Sequence, residues 1–246
     1  AMAPRDISSG GDFYELASID VNKDLHDPDR LKYLKLEIVG FDKGVSDWAS
    51  LNEGRQRFRD GMIEIAREEM PTRVNYSLPY PGQSEELKAF LKPEFNIECD
   101  DNVIKAKVRE ISGDLKDPLE AARRLLEWVY RNVQKRPVVT VPSALEVLRS
   151  RVGDCNEHAV LLAALLRASG IPARVCVGLV CARGRFFYHA WNEAYLGSWV
   201  SMDATLNQMP VDASHIKLLH GGLDKQVEII GLIGKLRLKV ISYMYD

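Results

Sequence analysis

Cysteine is scarce in this 246-residue chain, which holds four: Cys99, Cys155, Cys176 and Cys181. Their spacing is irregular and contains no C-x-x-C pair, which argues against a disulfide-stapled scaffold or a common zinc framework. Cys176 and Cys181 fall in one expected strand, and their odd separation puts them on opposite faces, so they should not bond each other. Cys99, Cys176 and Cys181 read as small buried apolar residues, which leaves the redox compartment open. Long apolar runs are also missing. The longest, such as 159–166, fall well short of a membrane span. Neither sign of charge dominates: Lys and Arg number 33 against 35 Asp and Glu, a formal net charge of -2. Nothing in that balance points to nucleic acid or an acidic membrane as partner. No internal repeat, low-complexity tract or calcium loop of the D-x-[DN]-x-[DN]-G type occurs. No charged-then-apolar leader opens the sequence. Ala1-Met2-Ala3 reads as an appended start, which leaves room for a trimmed leader. A periplasmic or secreted location is therefore expected slightly ahead of a cytoplasmic one.

What is present is the material of an ordinary soluble globular protein, 46% hydrophobic and 28% charged residues. A chain of this length can bury a core without disulfides or metal. Residues 1–30 are polar and read as a loosely ordered lead-in. Residues 31–112 read as strand-rich, with the possibility of an appended β-sandwich. Leu34, Leu36 and Ile38 alternate with polar neighbours, as do Ile63 and Ile65, and Ile104, Ala106 and Val108; period two means half-buried strands. Ser84 starts a short helix that must end near Pro93.

Residues 113–246 form the expected catalytic core. Asp117-Pro118-Leu119-Glu120 carries a capping Asp, a proline at the first helical position and Glu three residues after the cap, so a helix runs from Pro118 to just before Pro137. Ser143 with Glu146, and Asp154 with Glu157, repeat the cap signature. They predict helices over 143–150 and from about Cys155 to Ala168, the latter stopped by Gly170. The last of these is apolar on every side and must be buried. Strands are expected at Arg174–Val180, Phe186–Leu196 and Trp199–Met202. A small helix is expected near Ser214–Leu219, then strands near Gln226–Leu232 and Lys235–Tyr243 that turn at Gly234. Together this is an α+β architecture with mostly antiparallel strands.

Cys155 sits in the first turn of the buried helix. The free N–H groups and the positive dipole end there favour a thiolate and could hold an oxyanion. A thiolate enzyme needs a base and an orienter for it. His189 lies inside an expected strand and Asp203 ends the next. If Leu196-Gly197-Ser198 is a three-residue hairpin loop, Tyr195 faces Trp199, and His189 and Asp203 become diagonal neighbours on one face. A two-residue loop would send them to opposite faces. Each residue alone has a bland reading, a satisfied strand histidine or a turn aspartate; with Cys155 they make a triad. His158 lies one turn from Cys155 and competes as base, but it is read as a second-layer or substrate contact, as is Trp191. His26, His215 and His220 read as surface or cap residues. Cys155, His158, His189 and Asp203 could in principle ligate zinc, but their spacing fits no zinc motif and the P-C-x-x-C half of a zinc-deaminase signature is missing. Neither metal nor cofactor is expected.

Residues 143–174, SALEVLRSRVGDCNEHAVLLAALLRASGIPAR, resemble the core of the transglutaminase-like superfamily, whose bacterial members carry G-D-C, a helix, then G-I-P-A-R. Residues 188–205, YHAWNEAYLGSWVSMDAT, resemble that family's second block, H-A-W, then W, then D-x-T. The resemblance implies a papain-like fold, a nucleophile helix packed on an antiparallel sheet that bears His and Asp. It implies Cys155 as nucleophile, His189 as general base and Asp203 as its orienter. The implied chemistry is acyl transfer: the thiolate attacks an amide carbonyl, an amine or ammonia leaves, and a thioester remains for water or a second amine. Animal members use an upstream Trp as oxyanion donor; Trp128 falls inside a helix and is read as core. The expected function is therefore a thiol-dependent hydrolase (protease or amidase) or transamidating enzyme with a protein or peptide substrate. The alternative is a binding or scaffolding module that keeps only the fold. Arylamine acetyl transfer, a third reading, is disfavoured by the GIPAR block. The oligomeric state is not legible.

Overall fold

The computed structural model describes residues 18–40, 51–138, 143–221 and 234–246. Among these residues five α-helices are seen: α1 (Glu85–Ala89), α2 (Asn102–Ser112), α3 (Pro118–Asn132), α4 (Ala144–Ser150) and α5 (Cys155–Ala168). The strands are β1 (Ser18–Asp20), β2 (Leu31–Val39), β3 (Gln56–Arg59), β4 (Met62–Ala66), β5 (Gln134–Lys135), β6 (Val152–Gly153), β7 (Ala173–Ala182), β8 (Arg185–Tyr195), β9 (Trp199–Met202), β10 (Ile216–His220) and β11 (Arg237–Tyr245). This is the expected mixture of helices and antiparallel sheet. The described residues divide into two compact units. The first comprises those up to Glu68, with Cys176–Ala190 and Val211 onward; the second comprises Glu69–Val175 and Trp191–Pro210. Strands β7 and β8 have residues in both.

In the first unit, four antiparallel strands form a sheet in the order β11-β2-β4-β3. The period-two reading of β2 and β4 holds. Leu34 pairs with Ile65 and Leu36 with Ile63, all fully buried. On the other face Lys35 stands opposite Glu64, their charges 2.7 Å apart. Val240 and Leu238 of β11 extend the apolar row against Leu36 and Ile38. The strands of residues 31–66 thus form no sandwich of their own among the described residues; their sheet is completed by β11. Also in this unit, β1 pairs with β8 and β10 with β7, both antiparallel. Residues 216–220 are therefore a strand, not the expected small helix. Ile216, Lys217, Leu218 and Leu219 are all buried, so both faces are covered and no alternation marks the strand. Gln56, fully buried, accepts a hydrogen bond from the Lys217 N–H and donates to the Lys217 carbonyl. The expected strand over 226–232 lies outside the described residues, and the one near Lys235–Tyr243 is β11.

In the second unit the aspartate caps act as read, whereas Ser143 makes no cap bond at the start of α4, where the Ala144 N–H donates to Glu98 instead. The Asp117 carboxylate accepts from the N–H groups of Leu119 and Glu120, with Pro118 at the first position of α3. One strand expectation fails. Ile104, Ala106 and Val108 belong to α2, not to a strand. Asp101 caps that helix, and Ile104, Val108 and Ser112, four apart, form its buried face. Helix α5 is buried on every side from Glu157 to Arg167. It ends at Gly170, whose φ is +88° and where a Cβ would lie 2.4 Å from the Pro79 side chain. Arg167, buried, ties the turn down. It donates to the carbonyls of Ala173 and Lys92 and pairs with Glu94 at 2.7 Å. Trp128 is half-buried, with Lys107 and Arg151 over its ring, and is not a core residue. No helix among the described residues is long and apolar enough to cross a membrane.

Candidate active site

The turn that carries Cys155 is built by the residues before it. Two-residue strands β5 and β6 pair in parallel, so Val152-Gly153 is held beside the end of α3. The Arg136 N–H donates to the Gly153 carbonyl at 3.0 Å. Asp154 then caps α5: its carboxylate accepts from the Asn156 N–H at 2.9 Å, and Glu157 returns the favour by accepting from the Asp154 N–H at 2.9 Å. Gly153 is required by this closure. A Cβ there would lie 2.2 Å from the Cβ of Glu157. Cys155 is the first residue of α5 and half-buried, whereas Cys99, Cys176 and Cys181 are buried, and none of the four forms a disulfide.

Glu157 was read from the sequence only as a cap, yet it is 3% exposed. Burial, and then its hydrogen bond with the Asp154 carboxylate, push its carboxyl up to about 8. Below that pH it is neutral. His158 is fully buried. Its Nδ1 is 2.6 Å from the Asp154 carbonyl and its Nε2 is 3.3 Å from the Val133 carbonyl. Burial lowers its pKa, which favours a neutral ring that donates from Nδ1, the closer contact. With both nitrogens against backbone carbonyls, His158 braces α5 to the end of α3.

Helix α5 meets the sheet through a residue the sequence reading passed over. Asn192 of β8, fully buried, donates from Nδ2 to the Ala159 carbonyl at 2.9 Å. Trp191 beside it is also buried, at 2% exposure. Between β8 and β9 the ladder runs Tyr195 to Trp199, Ala194 to Val200, Glu193 to Ser201 and Asn192 to Met202. The loop is Leu196-Gly197-Ser198, closed by the Leu196 N–H on the Ser198 carbonyl at 2.8 Å. Its odd length is the one the sequence argument required.

Asp203 follows β9 directly and is fully buried. Its Oδ1 accepts from the N–H groups of Thr205 at 2.7 Å and Leu206 at 3.2 Å, and its backbone bridges Gln208. The D-x-T segment is thus an Asx turn that fixes one carboxylate oxygen. In the first unit, His189 of β8 is 5% exposed, and its ring stands edge-on to that of His215, centroids 5.8 Å apart. His215 is buried, not a surface residue, and its Nδ1 lies 3.6 Å from Asp212. His220 ends a strand, not a helix, 3.8 Å from Glu53. His26 is exposed, as expected.

The arginine of the G-I-P-A-R block also acquires a structural role. Arg174 is buried, donates to Glu193 at 2.7 Å and lies 4.2 Å over the Trp199 ring. A charge seated there locks β7 to the β8–β9 hairpin.

Residues 105–204 match the model of the transglutaminase-like superfamily core. No curated protein matches the chain in sequence. Among solved structures, a candidate cysteine protease from Cytophaga hutchinsonii is similar at 17% identity and a TM-score of 0.55, over 89% of this chain and 86% of that one. The periplasmic domain of TgpA from Pseudomonas aeruginosa is similar at 18% identity and 0.45, over 84% and 93%. Red sea bream transglutaminase is similar at 13% and 0.41, over 76% of this chain and 47% of that one. With the Cytophaga hutchinsonii protein the shared element is the fold, and within that fold it is residues 105–204 that match the transglutaminase-like superfamily core.

Proposed function

We propose that this protein is a thiol-dependent enzyme that cleaves protein or peptide amides through a Cys155 thioester, with His189 as general base and Asp203 as its orienter. The observation that carries the reading is the seat of Cys155. It is the half-buried thiol, placed on the first turn of a capped helix, while the other three are buried. Helix N-terminal N–H groups favour the thiolate and a developing oxyanion.

Two further features support the assignment of the base and orienter. The β8–β9 loop has the odd length that the pairing of His189 with Asp203 requires. The Asx turn holds the Asp203 Oδ1, and the reading assigns the other oxygen to the imidazole. In this scheme Cys155 attacks the carbonyl carbon, the His189 imidazolium protonates the departing amine, and the neutral imidazole then draws a proton from the water that opens the thioester. Water is favoured over an amine as acceptor, in line with the name of the Cytophaga hutchinsonii protein.

The test is labelling by a peptidyl electrophile together with turnover on a peptide library, wild type against Cys155→Ala. Label on Cys155 alone, and released peptides that vanish in the variant, are expected. Label elsewhere, or unchanged turnover in Cys155→Ala, would defeat the assignment. Unlabelled but folded wild type would favour a binding module.

A further inference from the structure

We propose that Glu157 is a positioning residue for the nucleophile turn: its neutral carboxyl clamps Asp154 and holds Cys155 reactive, and its ionisation weakens the site at alkaline pH. This rests on Cys155 being the nucleophile. Three observations of geometry carry it. The Glu157 side chain curls back over the start of α5, so its Oε2 accepts the Asp154 N–H at 2.9 Å. Its stem fills the space left by Gly153, where a Cβ would lie 2.2 Å and 2.5 Å from its Cβ and Cγ. It is 3% exposed although it is an acid in the first turn of an outwardly ordinary capping box. An ordinary N3 glutamate is ionised and solvated. This one lies against a second carboxylate, which disfavours its charged form.

Among the described residues, no cation has a resolved effect that relieves it. On its own turn are Asp154, the Cys155 thiol and the His158 ring. Across from that ring, Asp203 favours its charged form and Lys135 opposes it. Of the cations on the flanking segments, Arg136 is exposed and two others sit on aromatic rings. Lys135 lies over the Tyr130 ring and Arg151 over the Trp128 ring. The Asp154 carboxylate is the charged side chain with a resolved effect on Glu157, and it raises the pKa, as burial does. When pH rises and the Glu157 proton leaves to water, two negative charges meet at the head of α5. They oppose the thiolate there and repel each other across the capping box.

The experiment compares two alkylating reagents, neutral iodoacetamide and anionic iodoacetate, on Cys155 of the intact protein from pH 6 to 10. The site is read by mass spectrometry. The rate ratio of the two cancels the thiolate fraction and reports local charge. In the wild type the iodoacetate to iodoacetamide ratio should fall about three- to tenfold as Glu157 ionises, a perturbation worth up to roughly one pK unit. In Glu157→Gln, which keeps the shape of the neutral acid, that fall should be largely lost. Glu157→Ala should slow iodoacetamide about tenfold at pH 6.5, and Glu157→Gln should not. Identical ratio profiles in wild type and Glu157→Gln would overturn the proposal. Absence of label on Cys155 in every protein would instead overturn the nucleophile assignment. Should the variants not fold, a difference infrared titration of the wild type decides. A protonated carboxyl band that disappears between pH 7 and 9 supports the proposal, and its absence at pH 6 to 7 sinks it.

Discussion

Gly153→Ala probes the head of the nucleophile helix with a single methyl group. The added Cβ would sit 2.2 Å from the Glu157 Cβ, 2.5 Å from its Cγ and 3.2 Å from Oε2. Carbon atoms in contact rest about 3.5–4.0 Å apart, so the two positions must separate by more than an ångström. Neither side yields easily. Gly153 is tied by its pairing in β6 and by the Arg136 N–H on its carbonyl, and Glu157 is tied into α5, which is buried all round. A rotamer change does not help, because the first clash is with Cβ, which is fixed by the backbone. The cost should therefore lie at the upper end of the overpacking range, about 3 kcal/mol. For a chain of this size that corresponds to a fall in melting temperature of roughly 6–12 °C. Iodoacetamide labelling of Cys155 should slow as the turn is displaced. Two second-site changes on the Gly153→Ala background separate the causes. Glu157→Ala leaves the Cβ in place and should not rescue Gly153→Ala. Glu157→Gly removes it and should restore the lost stability less about 1 kcal/mol for glycine in a helix. Melting curves by circular dichroism measure all four proteins. A Gly153→Ala protein that melts within about two degrees of wild type, or a rescue by Glu157→Ala, would refute the packing account.

Two further outcomes follow from buried charge. Arg174→Met strands Glu193 in the interior and should cost about 3–5 kcal/mol, whereas Arg174→Met with Glu193→Met should recover most of it; urea denaturation of the single and double variants checks this. Glu157 links stability to pH with a definite sign. Its folded pKa stands near 8, above the ordinary carboxylate value, so the folded chain keeps a proton that the unfolded chain has released. Stability from this group therefore declines as pH rises from about 4.5 to 8, by at most about 1.4 kcal/mol per unit. Glu157→Gln should flatten that decline, and equal slopes of urea midpoint against pH in the two proteins would contradict it.

The helical half of the molecule was largely legible because its signals are local. An Asp before Pro118, a Gly after Ser169 and acids three residues past each cap mark ends that the chain must satisfy whatever packs against it. The failures share a cause in packing that no local pattern records. Ile104, Ala106 and Val108 alternate like a strand, yet Ile104, Val108 and Ser112 also recur every four residues, and the neighbouring helices select that period. Residues 216–219 are covered on both faces, so their strand carries no alternation. The positions of Cys155 at a helix start and of Asp203 just after β9, and the hairpin register, could be read because each sits at an element boundary. Asn192 and Glu157 could not. Their roles come from a carbonyl on another element and from room left by a glycine, and a polar letter in a sequence does not reveal that it is enclosed.

The pairing of β11 with β2 has a consequence for the order in which the molecule can be made. Strands β2 and β4 are translated well before β11 and can pair at once, but the other side of β2 lacks its β11 partner until those residues leave the ribosome. Through that interval Leu36 and Ile38 belong to an open edge, the kind of surface that recruits strands from other chains. The nine-residue strand β11 therefore acts as a seal on this sheet. A stalled or prematurely ended translation product should aggregate through that edge, even though every residue of the thiol-bearing helix is already present in it.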